Sequence, residues 1–198
     1  MERELLVTGI GGQGVQLMAT VLAQAAVSEG RGVQLFGSYG GMMRGGNTDA
    51  TLVVAEGPVQ SPPTVGAAWS AVVMHHEHAA ATLSRLRPAG VVLLNSSVCA
   101  PHGVGLDVTE SPVSVVEVAA TDIAADLGDA LVAAMVMAGA YATYTALVSL
   151  DALRRAAAAA LPGRRAHHAA RNDEAIVAGS RAVPALGAPA WVLETSAS

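Results

Sequence analysis

Leu5-Leu6-Val7 runs straight into Thr8-Gly9-Ile10-Gly11-Gly12-Gln13-Gly14, and from Val15 onward apolar residues recur at helical spacing. Gly9, Gly11 and Gly14 have G-x-G-x-x-G spacing at the junction of a predicted strand and helix. Glycines there serve a tight turn, a close approach of ligand to backbone, and tight helix–strand packing. The first N–H groups of the helix face out of the turn and favour an anion such as phosphate or carboxylate. Gly9, Gly11, Gly12, Gln13 and Gly14 are therefore candidate binding residues.

A chain of 198 residues can bury one good core, so one domain is expected. It is 52% apolar and only 3% aromatic. Alanine and valine do most of the filling and suit helices packed closely on a buried sheet, the α/β class. A net charge of −5 argues against a general nucleic-acid binder, which needs a basic face. The start, Met1-Glu2-Arg3-Glu4, is unlike a secretion signal, and a cytoplasmic location is expected. The single cysteine, Cys99, allows no internal disulfide and no self-contained iron–sulfur cluster, which takes about four thiolates. Ala130 to Leu150 carries no charge but is largely alanine, which gives little free energy of insertion, so a buried helix is expected and not a membrane span.

The periodicity predicts a strand over 5–8, a helix over 15–28 and a short strand over 33–36, a β-α-β unit of the kind that opens a doubly wound fold. A glycine-rich loop, 37–47, follows, and further strands are predicted over 48–55, 70–74, 91–95 and 114–118. Helices are predicted over 77–86, 120–127, 130–147, 150–160 and 166–181, with Pro88-Ala89-Gly90 read as a turn and Ser149 as a cap. The expected architecture is a Rossmann-like three-layer α/β sandwich with a mostly parallel sheet and a helical C-terminal third. Residues 1–182 form the domain, and the Pro-, Ala- and Ser-rich tail 183–198 is expected to be flexible.

A dinucleotide site usually places an acidic residue at the end of the second strand to hold the ribose. Here that strand ends Gln34-Leu35-Phe36-Gly37, which disfavours NAD. No Gly-Lys-Ser/Thr follows the glycines, and the chain has no lysine, so a triphosphate loop is excluded. The second glycine loop, Ser38-Tyr39-Gly40 through Arg44-Gly45-Gly46, lies beyond the carboxyl end of the second strand, where open α/β sheets bind ligands. Arg44 there could offer a fork of donors to a carboxylate or phosphate, or stand in solvent. His75, His76, Glu77 and His78 are too contiguous to point at one metal ion. No base is specified for Cys99, and there is no Gly-x-Ser-x-Gly elbow, so no catalytic or metal-binding residue is assigned.

Taken together, the Gly9 loop, Ser38-Tyr39-Gly40 with Arg44-Gly45-Gly46, and Asn95-Ser96-Ser97 resemble the gamma subunit of the 2-oxoacid:ferredoxin oxidoreductases. That family includes the pyruvate, 2-oxoisovalerate, 2-oxoglutarate and indolepyruvate enzymes. The resemblance runs from about Glu4 to about Ala182 and includes Ala124-Ala125-Asp126-Leu127-Gly128 and Ala138-Gly139-Ala140. It departs from the family at Gly41 and Met42, where proline and glutamate are usual, and around Trp69-Ser70, where an aspartate is common.

The resemblance implies an assembly that converts a 2-oxoacid and coenzyme A to acyl-CoA and carbon dioxide, passing two electrons to ferredoxin, or the reverse. It implies alpha, beta and delta-type partner subunits that carry thiamine diphosphate and [4Fe–4S] clusters. This chain would be inactive alone and bind no cofactor tightly. It would complete the assembly, help form the coenzyme A or substrate side through the two glycine loops, and could form a homodimer when isolated. Against this stand a free-standing nucleotide-binding or regulatory module and an independent NAD-dependent dehydrogenase.

Overall fold

A computed structural model describes residues 1–39, 46–60, 65–106, 112–160 and 166–191. Six strands are seen: β1 (Glu2–Ile10), β2 (Gly32–Tyr39), β3 (Asn47–Ala55), β4 (Ala68–Val73), β5 (Leu86–Asn95) and β6 (Ser114–Val118). They form one sheet in the order β2-β3-β1-β4-β5-β6. The helices are α1 (Val15–Ser28), α2 (Ala79–Leu83), α3 (Ala120–Asp126), α4 (Ala133–Thr145), α5 (Leu150–Ala159) and α6 (Ala166–Arg181). This is the expected three-layer α/β fold.

The parallel part of the sheet is β1, β4, β5 and β6. One feature differs from the simple β-α-β expectation. β1 and β2 run in the same direction but are not neighbours, because β3 lies antiparallel between them, with Leu5 opposite Leu52 and Leu52 opposite Leu35. The period of two predicts that these segments are strands, but it carries no information about which strand each pairs with.

Alternation along the strands sorts side chains to two faces. Leu5, Val7, Val72 and Leu93 face the large core shared with α1 and α3 to α6. Leu6, Val53 and Ala71 face the thinner opposite layer with Val65, while Val73, Val92 and Leu94 do so with Ala79, Cys99 and Val104. β4 is buried along its whole length.

Beyond small shifts at strand and helix ends, three predicted elements change in kind. Pro88-Ala89-Gly90 is not a turn but an irregularity within β5: the strand pairs Leu86 with Ala68, then Val91 with Ser70, and Ala89 takes a positive φ of 60°. The helix predicted over 77–86 is a 3-10 turn, His76–His78, followed by α2. The segment predicted as one helix over 130–147 is a 3-10 turn, Ala130–Val132, followed by α4, which ends where Ala146 turns left-handed. The Ser149 cap is seen, with its hydroxyl accepting from the Ala152 N–H at 3.2 Å. Residues 133–142 of α4 are all buried. Among the described residues no helix is long and apolar enough to cross a membrane.

The tail packs on the domain as far as Trp191. It runs along the end of α4: Leu186, Ala188 and Ala190 donate N–H bonds to the carbonyls of Thr143, Tyr144 and Thr145. Arg3 Nε donates to the Ala190 carbonyl at 2.6 Å, and the Arg31 guanidinium lies 3.6 Å from the Trp191 ring centroid. Composition alone gave no sign of these contacts, which comprise one cation–π pair, a side-chain bond from Arg3 and a row of main-chain bonds. Residues 192–198 lie outside the described residues.

Candidate functional site

The carboxyl ends of β1, β4 and β5 lie on one edge of the sheet, together with the start of the antiparallel β3. The glycine turn leaves β1 at Ile10 and enters α1 at Val15. Gly14 occupies the cap position with φ +78°, a left-handed conformation that a residue with a Cβ adopts only under strain. A Cβ on Gly14 would also lie 3.0 Å from Ala134 of α4, so the turn is pressed against that helix.

Gln13 braces the turn. Its Oε1 accepts from the Ile10 N–H at 2.9 Å, and its Nε2 donates to the Met74 carbonyl at 3.2 Å. Gly9 makes room for this, since a Cβ there would lie 2.7 Å from Gln13 Oε1. Both ends of the side chain are used within the fold.

The two glycine loops meet at one point: the Gly11 N–H donates to the Gly46 carbonyl at 2.9 Å. Asp49 secures the strand that follows. Its carboxylate accepts from Thr8 Oγ1 and Asn47 Nδ2, both at 2.7 Å, and its carbonyl accepts from Gln16 Nε2 at 2.6 Å. Ser38 and Tyr39 lie at the end of β2, in register with Asp49 and Thr48. Gly40, Arg44 and Gly45 lie outside the described residues.

Two shallow clefts flank Gly12. One, of about 150 Å³, lies between Gln13, Met74, Thr121 and Leu131. The other, of about 220 Å³, lies between Gly11, Gly14, Gln16 and Thr48. The residues lining both are uncharged. Among the described residues these walls offer amide, hydroxyl and main-chain groups and no charged side chain. Leu131, 77% exposed, stands at the edge of the first cleft.

Sequence reasoning missed Thr121, Met74 and Leu131 as wall residues, and the hydrogen bonds of Asn95. The signal for Asn95 is its place after the apolar run Val91 to Leu94; it is wholly buried and bonded to Thr121 Oγ1 at 2.8 Å. An amide at the end of so apolar a strand must find partners there.

The other candidate groups lie elsewhere. His75 and His76 stack with ring centroids 4.4 Å apart, and burial followed by the charge of His76 lowers the His75 pKa. His76 Nδ1 is 3.1 Å from the Val98 carbonyl. Among the described residues no group of three or more His, Cys, Asp or Glu side chains is placed to hold a metal ion. Cys99 is buried between the sheet and the thin layer, and desolvation pushes its thiol up to about 11.

A glycine turn at the carboxyl edge of a mostly parallel sheet, with helical layers on its faces, defines a three-layer α/β domain. Residues 4–182 match the family model for pyruvate ferredoxin/flavodoxin oxidoreductase, and the chain belongs to that family. It is 30% identical over 164 residues to the 2-oxoglutarate synthase subunit KorC of Methanothermobacter marburgensis, covering 82% of this chain and 88% of that subunit. It is 31% identical over 163 residues to the pyruvate synthase subunit PorC of Methanothermobacter thermautotrophicus, covering 81% and 86%.

The fold is shared with the gamma subunit of a keto/oxoacid ferredoxin oxidoreductase from Geobacter sulfurreducens, with TM-score 0.76 and 24% identity over 92% of this chain and 96% of that one. It is also shared with part of the 2-oxoglutarate:ferredoxin oxidoreductase from Magnetococcus marinus, with TM-score 0.78 and 16% identity over 91% of this chain and 30% of that one.

Proposed function

We propose that this chain is the gamma-type subunit of a multisubunit 2-oxoacid:ferredoxin oxidoreductase. The assembly converts a 2-oxoacid and coenzyme A to acyl-CoA and carbon dioxide with reduction of ferredoxin, or runs in reverse. The observation that carries this reading is the family match across residues 4–182, in a chain that aligns with most of the length of KorC and PorC. The alternatives of a free-standing nucleotide module and an NAD-dependent dehydrogenase gain no support from these relatives.

Its work within the assembly is to complete the structure and to supply the coenzyme A side of the site. The glycine turn suits such a ligand: N–H groups at the start of α1 favour an anionic group, and the uncharged clefts beside Gly12 suit a narrow neutral arm. Arg44 is the proposed partner for a phosphate or carboxylate. One cysteine is no ligand set for a [4Fe–4S] cluster; in this reading the clusters and thiamine diphosphate sit on alpha, beta or delta-type partners, and ferredoxin docks on the complex. The working location is the cytoplasm.

The test is purification of the native protein followed by mass spectrometry of what accompanies it. Larger chains carrying thiamine diphosphate and clusters are expected, with no turnover by this chain alone. Recovery of this chain by itself with a nucleotide bound would overturn the reading. In the reconstituted complex, Arg44→Ala is expected to raise the KM for coenzyme A or weaken assembly.

A further inference from the structure

Two amide side chains converge on a single main-chain oxygen beneath the first cleft. Gln13 Nε2 and Asn95 Nδ2 donate to the Met74 carbonyl at 3.2 and 3.3 Å. Gln13 accepts from Ile10 N–H, while Asn95 donates to Thr121 Oγ1 and accepts from the Thr121 N–H at 3.3 Å. The result is one unbroken chain of hydrogen bonds across the ends of β1, β4 and β5 to the first turn of α3. Both N–H groups of Asn95 are spent on it, and its side chain is wholly buried.

We propose that Gln13 and Asn95 are positioning residues that set the width of the cleft by tying the glycine turn and Thr121 to Met74. This rests on the reading that the turn forms the coenzyme A side of the site. Gln13, Met74 and Thr121 are wall residues of the cleft, and Asn95 holds two of the three from behind. Gln13, expected from sequence to contact the ligand, thus acts through the turn. Removing the Gln13 amide lets the turn move relative to β4; removing that of Asn95 frees Thr121 from Met74 and takes the second donor from the carbonyl that anchors the turn.

The experiment uses Gln13→Met, which keeps side-chain length and removes both bonds, and Asn95→Leu. Amide hydrogen exchange of the isolated chain is read at Gly11 to Val15 and, as a control, at Leu22 to Ala26 in the same helix. Exchange at Gly11 to Val15 is expected to rise about tenfold, the loss of roughly one hydrogen bond, with the control unchanged. In the reconstituted complex the KM for coenzyme A is expected to rise about tenfold with kcat within a factor of two. Should Asn95→Leu fail to fold, Gln13→Met, on a half-buried turn, carries the test. Unchanged exchange at Gly11 to Val15 overturns the inference. Faster exchange with an unchanged KM upholds the tie and removes coenzyme A from this wall, so the two readings fail separately.

Discussion

Gly139 of α4 and Gly179 of α6 are reciprocal: each stands against the backbone of the helix that carries the other, three residues before it. A Cβ on Gly139 would overlap the Ile176 carbonyl, and one on Gly179 would overlap the Val136 carbonyl. The two helices therefore touch main chain to main chain. Alanine at either site gains about 1 kcal/mol of helix propensity. The overlap falls on backbone that cannot move aside, and a net loss of about 2 kcal/mol is expected for Gly139→Ala or Gly179→Ala. Urea unfolding measures it as a lower midpoint at unchanged slope.

The anchored tail makes a second prediction. Truncation after Ala182 removes the Trp191 ring from Arg31, its Nε1 bond to the Leu147 carbonyl at 3.1 Å, and the bond from Arg3 to Ala190. A cation–π contact and several hydrogen bonds together predict a loss of about 3 kcal/mol. Thermal melting of the truncated chain checks it; an unchanged midpoint would mean the tail contributes nothing.

Arg154 of α5 grips Asp173 of α6 with two bonds, 2.6 Å from Nε and 2.9 Å from Nη2. The hydrogen bonds from Arg154 hold the Asp173 carboxyl below its ordinary range. A lowered native pKa means the unfolded chain takes up the proton first as acid is added. The pair's contribution is complete above the ordinary carboxylate range and is lost as pH falls through the lowered native value. Both side chains are 41% exposed, so the contribution is small and screened by salt. The stability difference between wild type and Asp173→Asn should shrink on acidification and with added salt, and NMR titration of the Asp173 carboxyl should show the low value directly.

Cys99 is predicted to be inert in the folded chain. With its thiol pushed up to about 11, its thiolate fraction at neutral pH is roughly two orders of magnitude below that of an ordinary thiol with a pKa near 8.5. Burial adds a barrier to access. A thiol reagent should modify it at the rate of unfolding, and promptly in denaturant; prompt labelling of the native chain would contradict the packing described.

Much of this was legible from residues. Helix α1 occupies the predicted range because its apolar spacing is regular and glycines bound it on both sides. β3 and β6 were visible as β-prone stretches between turn residues. The direction of β3 was not, because alternation reports burial of a face and is silent on the neighbour. The break between Val132 and Ala133 was hidden for a related reason: a segment buried all round has no polar stripe to mark where a helix begins. At the site, glycine spacing identified the turn, while its brace depends on Met74 and Asn95, 61 and 82 residues beyond Gln13. No local pattern reports a main-chain carbonyl as the meeting point of two amides. The contacts of the tail were not legible because composition records what a segment could bury, not that Arg3 and Arg31 lie where Ala190 and Trp191 pass.

The place of β1 has a consequence for how the chain is made. It is the first strand in sequence yet lies inside the sheet, between β3 and β4. One partner, β3, is complete at Ala55, but the other ends at Val73, so one edge of β1 stays unmatched until that residue has emerged from the ribosome. The residues leading into the glycine turn must wait through the synthesis of α1, β2 and β3, apolar and unpaired, before the fold can close around them. A nascent chain stalled before β4 would expose an unsatisfied strand edge, the kind of surface on which chaperones and neighbouring chains act.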